Sequence, residues 1–247
     1  MRYRKDHKQA TRQHILEAAG RRFKQEGIDG AGVAAVMSDA GLTNGAFYAH
    51  FASKEDLIAN VLADQLRTQR QSFHAEPPDR GGVEAFIRTY LAPQHRDQYA
   101  DGCPSAALLD EIARRPAATK QVFTDELMGI IDDIASHLDP TDPEAARTSA
   151  LTLFGLMLGT LQLARALTDR DLSDQLLARG LETAIKLLND RALPHCRRPT
   201  RWNARPQGND QPLLARHAER SARSRGRLWT ASLFSRTGPR CWYWGYF

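Results

Sequence analysis

Gly41-Leu42-Thr43-Asn44-Gly45-Ala46-Phe47-Tyr48-Ala49-His50-Phe51, closed by Ser53-Lys54-Glu55, is the stretch whose reading decides the fold. Gly41 is the residue type that tolerates positive φ and so turns a chain sharply. Leu42 plugs the corner, and Thr43 is a residue type that caps a short helix through its hydroxyl. The spacing predicts that helix to about His50. Phe47 and Phe51 are i,i+4 and face one way. Thr43, Asn44, Gly45, Tyr48 and His50 are left outward or partly so. Ser53 caps a further helix whose first turn carries Lys54.

Working outward, residues 8–26 place Ile15, Leu16, Ala18, Ala19 and Phe23 at helical spacing, and Gly27 ends the run. A short second helix is predicted near 33–40, with Val33, Val36, Met37 and Ala40 on its buried side. Two short helices joined by a tight turn form a helix-turn-helix, which sets one of them in a DNA major groove. Gly45 and Ala46 keep that surface low. Tyr48 and His50 offer donors to phosphate, and a helix N-terminus with Lys54 makes a phosphate clamp. Ahead of the first helix, Arg2, Arg4, Lys5, His7, Lys8 and Arg12 read as a basic arm for the backbone or the minor groove.

The chain here resembles the TetR family of bacterial transcriptional regulators. The matching residues are Ile15-Leu16-Glu17-Ala18-Ala19, Phe23, Gly27, Val33, Val36-Met37, Ala40-Gly41-Leu42, Gly45, Phe47-Tyr48-Ala49-His50-Phe51 and Lys54-Glu55-Asp56-Leu57. The resemblance implies an all-α homodimer that binds a palindromic double-stranded operator and releases it when a small-molecule effector occupies the C-terminal domain. It assigns DNA contacts to Thr43, Asn44, Gly45, Tyr48, His50 and Lys54. Two positions depart from the usual pattern. Gly32 stands where Ser or Thr commonly caps the second helix. Asn44 stands where arginine is frequent, and Asn reads adenine where Arg prefers guanine.

Behind this head, domain 1–53, a helical regulatory and dimerisation domain is expected over 54–190. About nine helices and no convincing strand are predicted in all. A helix runs from Lys54 to about Phe73. Pro77 to Gly82 is a breaker cluster, the next helix starts near Val83, and Pro93 to Gly102 is a polar connection. Further helices open at Cys103 and span about 117–138, 144–168 and 171–189. The middle helices hold Phe86, Tyr90, Cys103, Leu108, Phe123, Met128, Phe154, Met157, Leu161 and Gln162, candidates for an apolar ligand pocket. Asp110, Glu111 and Arg165 could add polarity. In the last two helices Leu151, Gly155, Leu158, Gly159, Leu172, Leu176, Leu181 and Ile185 require burial in a core or an interface. The resemblance favours a four-helix dimer interface.

Cys103 precedes Pro104 at a helix N-terminus, a setting that stabilises a thiolate; an inert buried cysteine is the alternative. The three cysteines support no zinc site and no disulfide framework, and fit a reducing cytoplasm. No phosphate-cradling Gly loop, metal-ligand pair or nucleophile constellation is present, so neither an enzyme, a cofactor nor a metal is expected. An effector-free DNA-binding scaffold is the other reading. The opening residues are charged, unlike a secretory leader, and the apolar stretch 150–164 is short for a membrane span.

Residues 191–247 differ in kind. They hold twelve arginines, no lysine, two acidic residues and all four tryptophans, although the whole chain carries only +5. This tail is expected to be disordered and nucleic-acid attracting, folded back through its tryptophans, or an extension without a selected role.

Overall fold

The computed structural model describes residues 2–190, with side chains from residue 7 onward. The expectations for the tail, including Cys196 and Cys241, lie outside the described residues, as do the side chains of Arg4 and Lys5.

The described residues form nine α-helices and one 3-10 helix. These are α1 (Arg2–Glu26), α2 (Val33–Asp39), the 3-10 helix Asn44–Ala49, α3 (Lys54–His74), α4 (Arg80–Tyr90), α5 (Pro93–Asp97), α6 (Pro104–Ala113), α7 (Ala117–Leu138), α8 (Pro143–Ala166) and α9 (Arg170–Asn189). The first helix starts six residues before the expected boundary. No Gly or Pro interrupts the chain there, so the basic segment with Arg4 and Lys5 continues the helix instead of forming a separate arm. Gly27 ends α1 at φ 79°, in the left-handed region that favours glycine.

Two further boundaries shift. Helix α4 begins at Arg80, not Val83, because the Asp79 carboxylate accepts the Gly82 N–H at 3.1 Å and caps the end. The expected polar connection after Pro93 contains α5, with Pro93 in the first helical turn, where its fixed φ suits the helix. Helix α3 starts with a reciprocal cap. Asp56 N–H donates to Ser53 Oγ at 3.0 Å, and Ala52 N–H donates to Asp56 Oδ2 at 2.9 Å.

One apolar core runs through the described helices. Ile15, Phe23 and Phe47 lie at the head end, Leu57, Leu62 and Leu66 follow along α3, and Ile130, Ile131 and Met157 fill the body. Helix α3 packs on both α1 and α7, and α8 packs on α7 and α9. Arg70 of α3 reaches Asp133 of α7 with two bonds of 2.5 and 2.8 Å. Helix α8 extends well beyond 150–164, and by length and composition it could cross a membrane. Here it packs against its neighbours, as the core helix of a folded body does.

Candidate nucleic-acid interface and small-molecule cleft

Helix α2 ends in two backbone bonds, Gly41 N–H to Ser38 O at 3.0 Å and Leu42 N–H to Met37 O at 2.8 Å. Gly41 adopts φ 66° and redirects the chain. The next helix is a 3-10 run, not the expected α-helix, and Ala46 N–H donates to Thr43 O at 3.0 Å. Six residues suffice for this tighter winding, in which positions three apart share a face. Gly45 and Tyr48 are such a pair and both are exposed, Tyr48 by 76%. Phe47 and Phe51 are buried with ring centroids 5.7 Å apart, and Tyr48 meets the Phe47 ring edge-on at 5.2 Å. Thr43 occupies the cap position, but its hydroxyl accepts no backbone N–H. It is left exposed beside Asn44.

His50 is half-buried, and its Nδ1 is buried without a hydrogen-bond partner. Burial first, then the nearby Lys8 and Arg12 charges, hold its pKa below the ordinary value. Arg12 stacks over the Phe51 ring at 4.8 Å and donates to Asn60 Oδ1 at 2.7 Å. Lys8 and Arg12 therefore flank the recognition element from α1. At the start of α3, Ser53 and Asp56 occupy two backbone amides, and Glu55 and Asp56 make the first turn acidic. The half-buried Lys54 supplies the positive charge there.

A cleft of about 880 Å³ lies between α1, α3, α4 and the segment from Ala92 to Pro104. Of the ten pocket candidates, Phe86, Tyr90 and Cys103 line it. Leu108, Phe123, Phe154, Met157 and Leu161 are buried in the core, and Met128 and Gln162 are half-buried; none of the seven lines the cleft. Their apolar spacing serves helix packing. The polar candidates are committed elsewhere. Asp110 pairs with Arg114, Glu111 accepts backbone N–H groups of Ile28 and Asp29, and Arg165 donates to His95 O at 2.7 Å.

His95 braces one end of the cleft. Its Nδ1 donates to Tyr90 O at 2.7 Å, because a carbonyl can only accept, and its Nε2 accepts the Cys103 N–H at 2.9 Å. Burial lowers its pKa and keeps the ring neutral. Cys103 is a free, buried thiol beside the buried Tyr90 hydroxyl. Lys24 Nζ donates to Gly102 O at 3.0 Å, and burial brings its pKa down to about 8. Glu17 of α1, Asp64, Gln65 and Gln69 of α3, and Glu76 just past the end of α3 also line the cleft. The sequence reading did not select them, although 65 and 69 recur at helical spacing.

On α8 and α9, Leu151, Leu163 and Leu172 are exposed, as are Gly155 and Gly159. A Cβ at either glycine would meet nothing within 4 Å. Leu176, Leu181 and Ile185 are half-buried beside them, and Leu158 is nearly buried. Leu163 belongs to this face and was not among the sequence candidates. No group of three His, Cys, Asp or Glu among the described residues could hold a metal ion.

Residues 15–61 match the family described as "Bacterial regulatory proteins, tetR family". The transcriptional regulator AcrR of Shigella flexneri is 42% identical over 57 residues, 23% of this chain and 26% of that protein. The match thus spans about a quarter of that relative's length. The uncharacterised regulator YvdT of Bacillus subtilis is 24% identical over 153 residues, 60% of this chain and 79% of that one. Among solved structures, reduced Escherichia coli NemR superposes with a TM-score of 0.61 at 21% identity, covering 72% of this chain and 96% of that chain.

Proposed function

We propose, from the premise that this chain belongs to the TetR family of bacterial transcriptional regulators, that it is a homodimeric, ligand-responsive repressor of a palindromic operator. The observation that carries the reading is the division of labour in the recognition element. Phe47 and Phe51 anchor it from within, while Thr43, Asn44, Gly45 and Tyr48 face outward between Gly41 and Lys54. Asn44 reads a base edge. Tyr48, His50 and Lys54, with Lys8 and Arg12, hold phosphates.

The open apolar strip on α8 and α9 pairs with its copy, and twofold symmetry matches the two half-sites of a palindrome. An effector favours a spacing of the two heads that no longer fits successive major grooves, which is a population shift. Helix α3 transmits it, since it is capped at the recognition element and packs on both α1 and α7. The cleft favours this reading over an effector-free scaffold. The site of action is the cytoplasm.

Selection of genomic DNA fragments by purified residues 1–190 and by the full chain tests the proposal. A shared short palindrome is the expected result. Selection by neither form overturns it, and selection by the full chain alone moves DNA choice to the tail.

A further inference from the structure

The two walls of the cleft differ in chemistry, and its charges are unevenly committed. Arg21 pairs with Asp101 at 3.3 Å, Arg88 pairs with Glu84 at 2.6 Å, and Lys24 is held by the Gly102 carbonyl. The acidic groups are less engaged. Asp64 accepts only from Gln13 Nε2, at 3.2 Å, while Glu17 and Glu76 have no side-chain partner among the described residues. Gln65 and Gln69, one helical turn apart on α3, each bury an Oε1 without a hydrogen-bond donor. Opposite them lie the rings of Phe86 and Tyr90, 5.8 Å apart. The Tyr90 hydroxyl is buried beside the Cys103 thiol, and burial keeps it protonated. Buried acceptors left without donors call for a ligand that brings N–H groups, and surplus carboxylates call for positive charge.

We infer that the cleft takes an organic ammonium, its N–H groups on the acceptors of α1 and α3 and its apolar body against Phe86 and Tyr90. As the effector class of the regulator proposed above, the inference rests on that reading; ligand binding itself does not.

The site also explains how an occupant reaches the head. The Gln65 amide lies over Gly20 of α1 so closely that a Cβ there would stand 1.7 Å from Nε2. Gln65 is thus a contact of α3 with α1 and an acceptor in the cleft at once. A ligand donor that draws this amide toward the cleft loosens the crossing of α1 over α3.

The test is calorimetric titration of the full chain, without DNA, by three probes of matched shape: 4-phenylbutylamine, 4-phenylbutanol and 4-phenylbutyrate. The amine should bind at least about tenfold more tightly than the other two, a charge-assisted margin. Rising salt should erode that preference and leave the alcohol unaffected. In the Glu17→Gln, Glu76→Gln double variant the margin should shrink several-fold, Asp64 remaining, while the alcohol binds as before. The wild-type salt series stands independently of whether that variant folds. Equal or tighter binding of the butyrate, binding of none of the three, or an unchanged margin in the folded double variant would overturn the inference. An amine preference in a chain that selects no operator would sink the repressor reading alone. Operator selection without the preference would sink only the effector class.

Discussion

The carboxylate of Glu111 accepts the Ile28 N–H at 2.8 Å and the Asp29 N–H at 3.3 Å, so α6 holds the turn between α1 and α2. Ile28 is fully buried, and no water can replace that acceptor. Arg115, four residues on and just past the end of α6, pairs with Asp29 at 2.7 Å. The head is therefore joined to the body by polar bonds as well as by shared core.

Replacing Glu111 with Ala orphans the Ile28 amide and should destabilise the chain by about 1–3 kcal/mol, the usual effect of a buried donor left unmade. Glu111→Gln keeps a neutral acceptor and should lose less. Urea denaturation measures both, and equal midpoints for Ala and wild type would refute the tie.

Glycines 41 and 45 should separate folding from DNA binding. Gly41→Ala forces an L-residue to φ 66° and should lower stability by about 1 kcal/mol, with no steric clash to add. Gly45 has neither a positive φ nor a neighbour within 4 Å of a built Cβ. Gly45→Ala should leave the melting temperature unchanged and weaken duplex binding, because the methyl group would stand on the surface proposed to face DNA. Thermal melts and fluorescence anisotropy read the two effects.

The outward residues should divide by role. Tyr48→Phe and Lys54→Ala should weaken operator and random duplex alike, each by several-fold, because phosphate contacts carry no sequence information. Asn44→Ala should instead broaden the selected site at one base pair, where a direct contact gives about 1–3 kcal/mol of discrimination. An unchanged site-selection profile would remove Asn44 from the base readers.

Acid should act on the brace at His95. The folded ring is neutral with its pKa held below the ordinary 6.5, while the unfolded chain takes up a proton near that value. Between the two values the unfolded state binds more protons, so stability falls as pH drops below about 6.5. Protonation of Nε2 also removes the acceptor for the Cys103 N–H. Urea midpoints between pH 7.5 and 5 should decline more for wild type than for His95→Gln; parallel curves would exclude the ring.

Charge on the open helical face should break the proposed homodimer. Gly155→Arg and Leu163→Arg each place a guanidinium where the copy's α8 would lie, with no clash inside the chain at residue 155. Both variants should sediment as folded monomers and bind the full palindrome far more weakly. A wild-type protein already monomeric at micromolar concentration would end the dimer reading.

Much of the head was legible because its constraints are local. Phe47 and Phe51 reveal themselves at i,i+4, Gly27 and Gly41 by the φ that only glycine adopts freely, and Ser53 by its place before a helical run. The 3-10 winding of the recognition element was not legible, since six residues carry too little periodicity to tell one helix type from another. Five-residue α5 hid for the same reason. The polar wall of the cleft eluded sequence reading because it uses residue types that a solvated helix face also uses. Apolar spacing at Phe154, Met157 and Leu161 pointed to burial correctly, and burial alone does not separate core from pocket. Glu111 looked like a pocket carboxylate because its partner amide lies 83 residues away along the chain.

The unbroken first helix has a mechanical consequence. Its 25 residues make a rod about 37 Å long at 1.5 Å per residue. Near its C-terminal end, Lys24 is fastened to the Gly102 carbonyl at the rim of the cleft. A tilt of only about 5° around that fastening sweeps the far tip through about 3 Å, a whole hydrogen-bond length. Displacements too small to notice at the cleft are thereby magnified to the scale on which a protein gains or loses its grip on a phosphate.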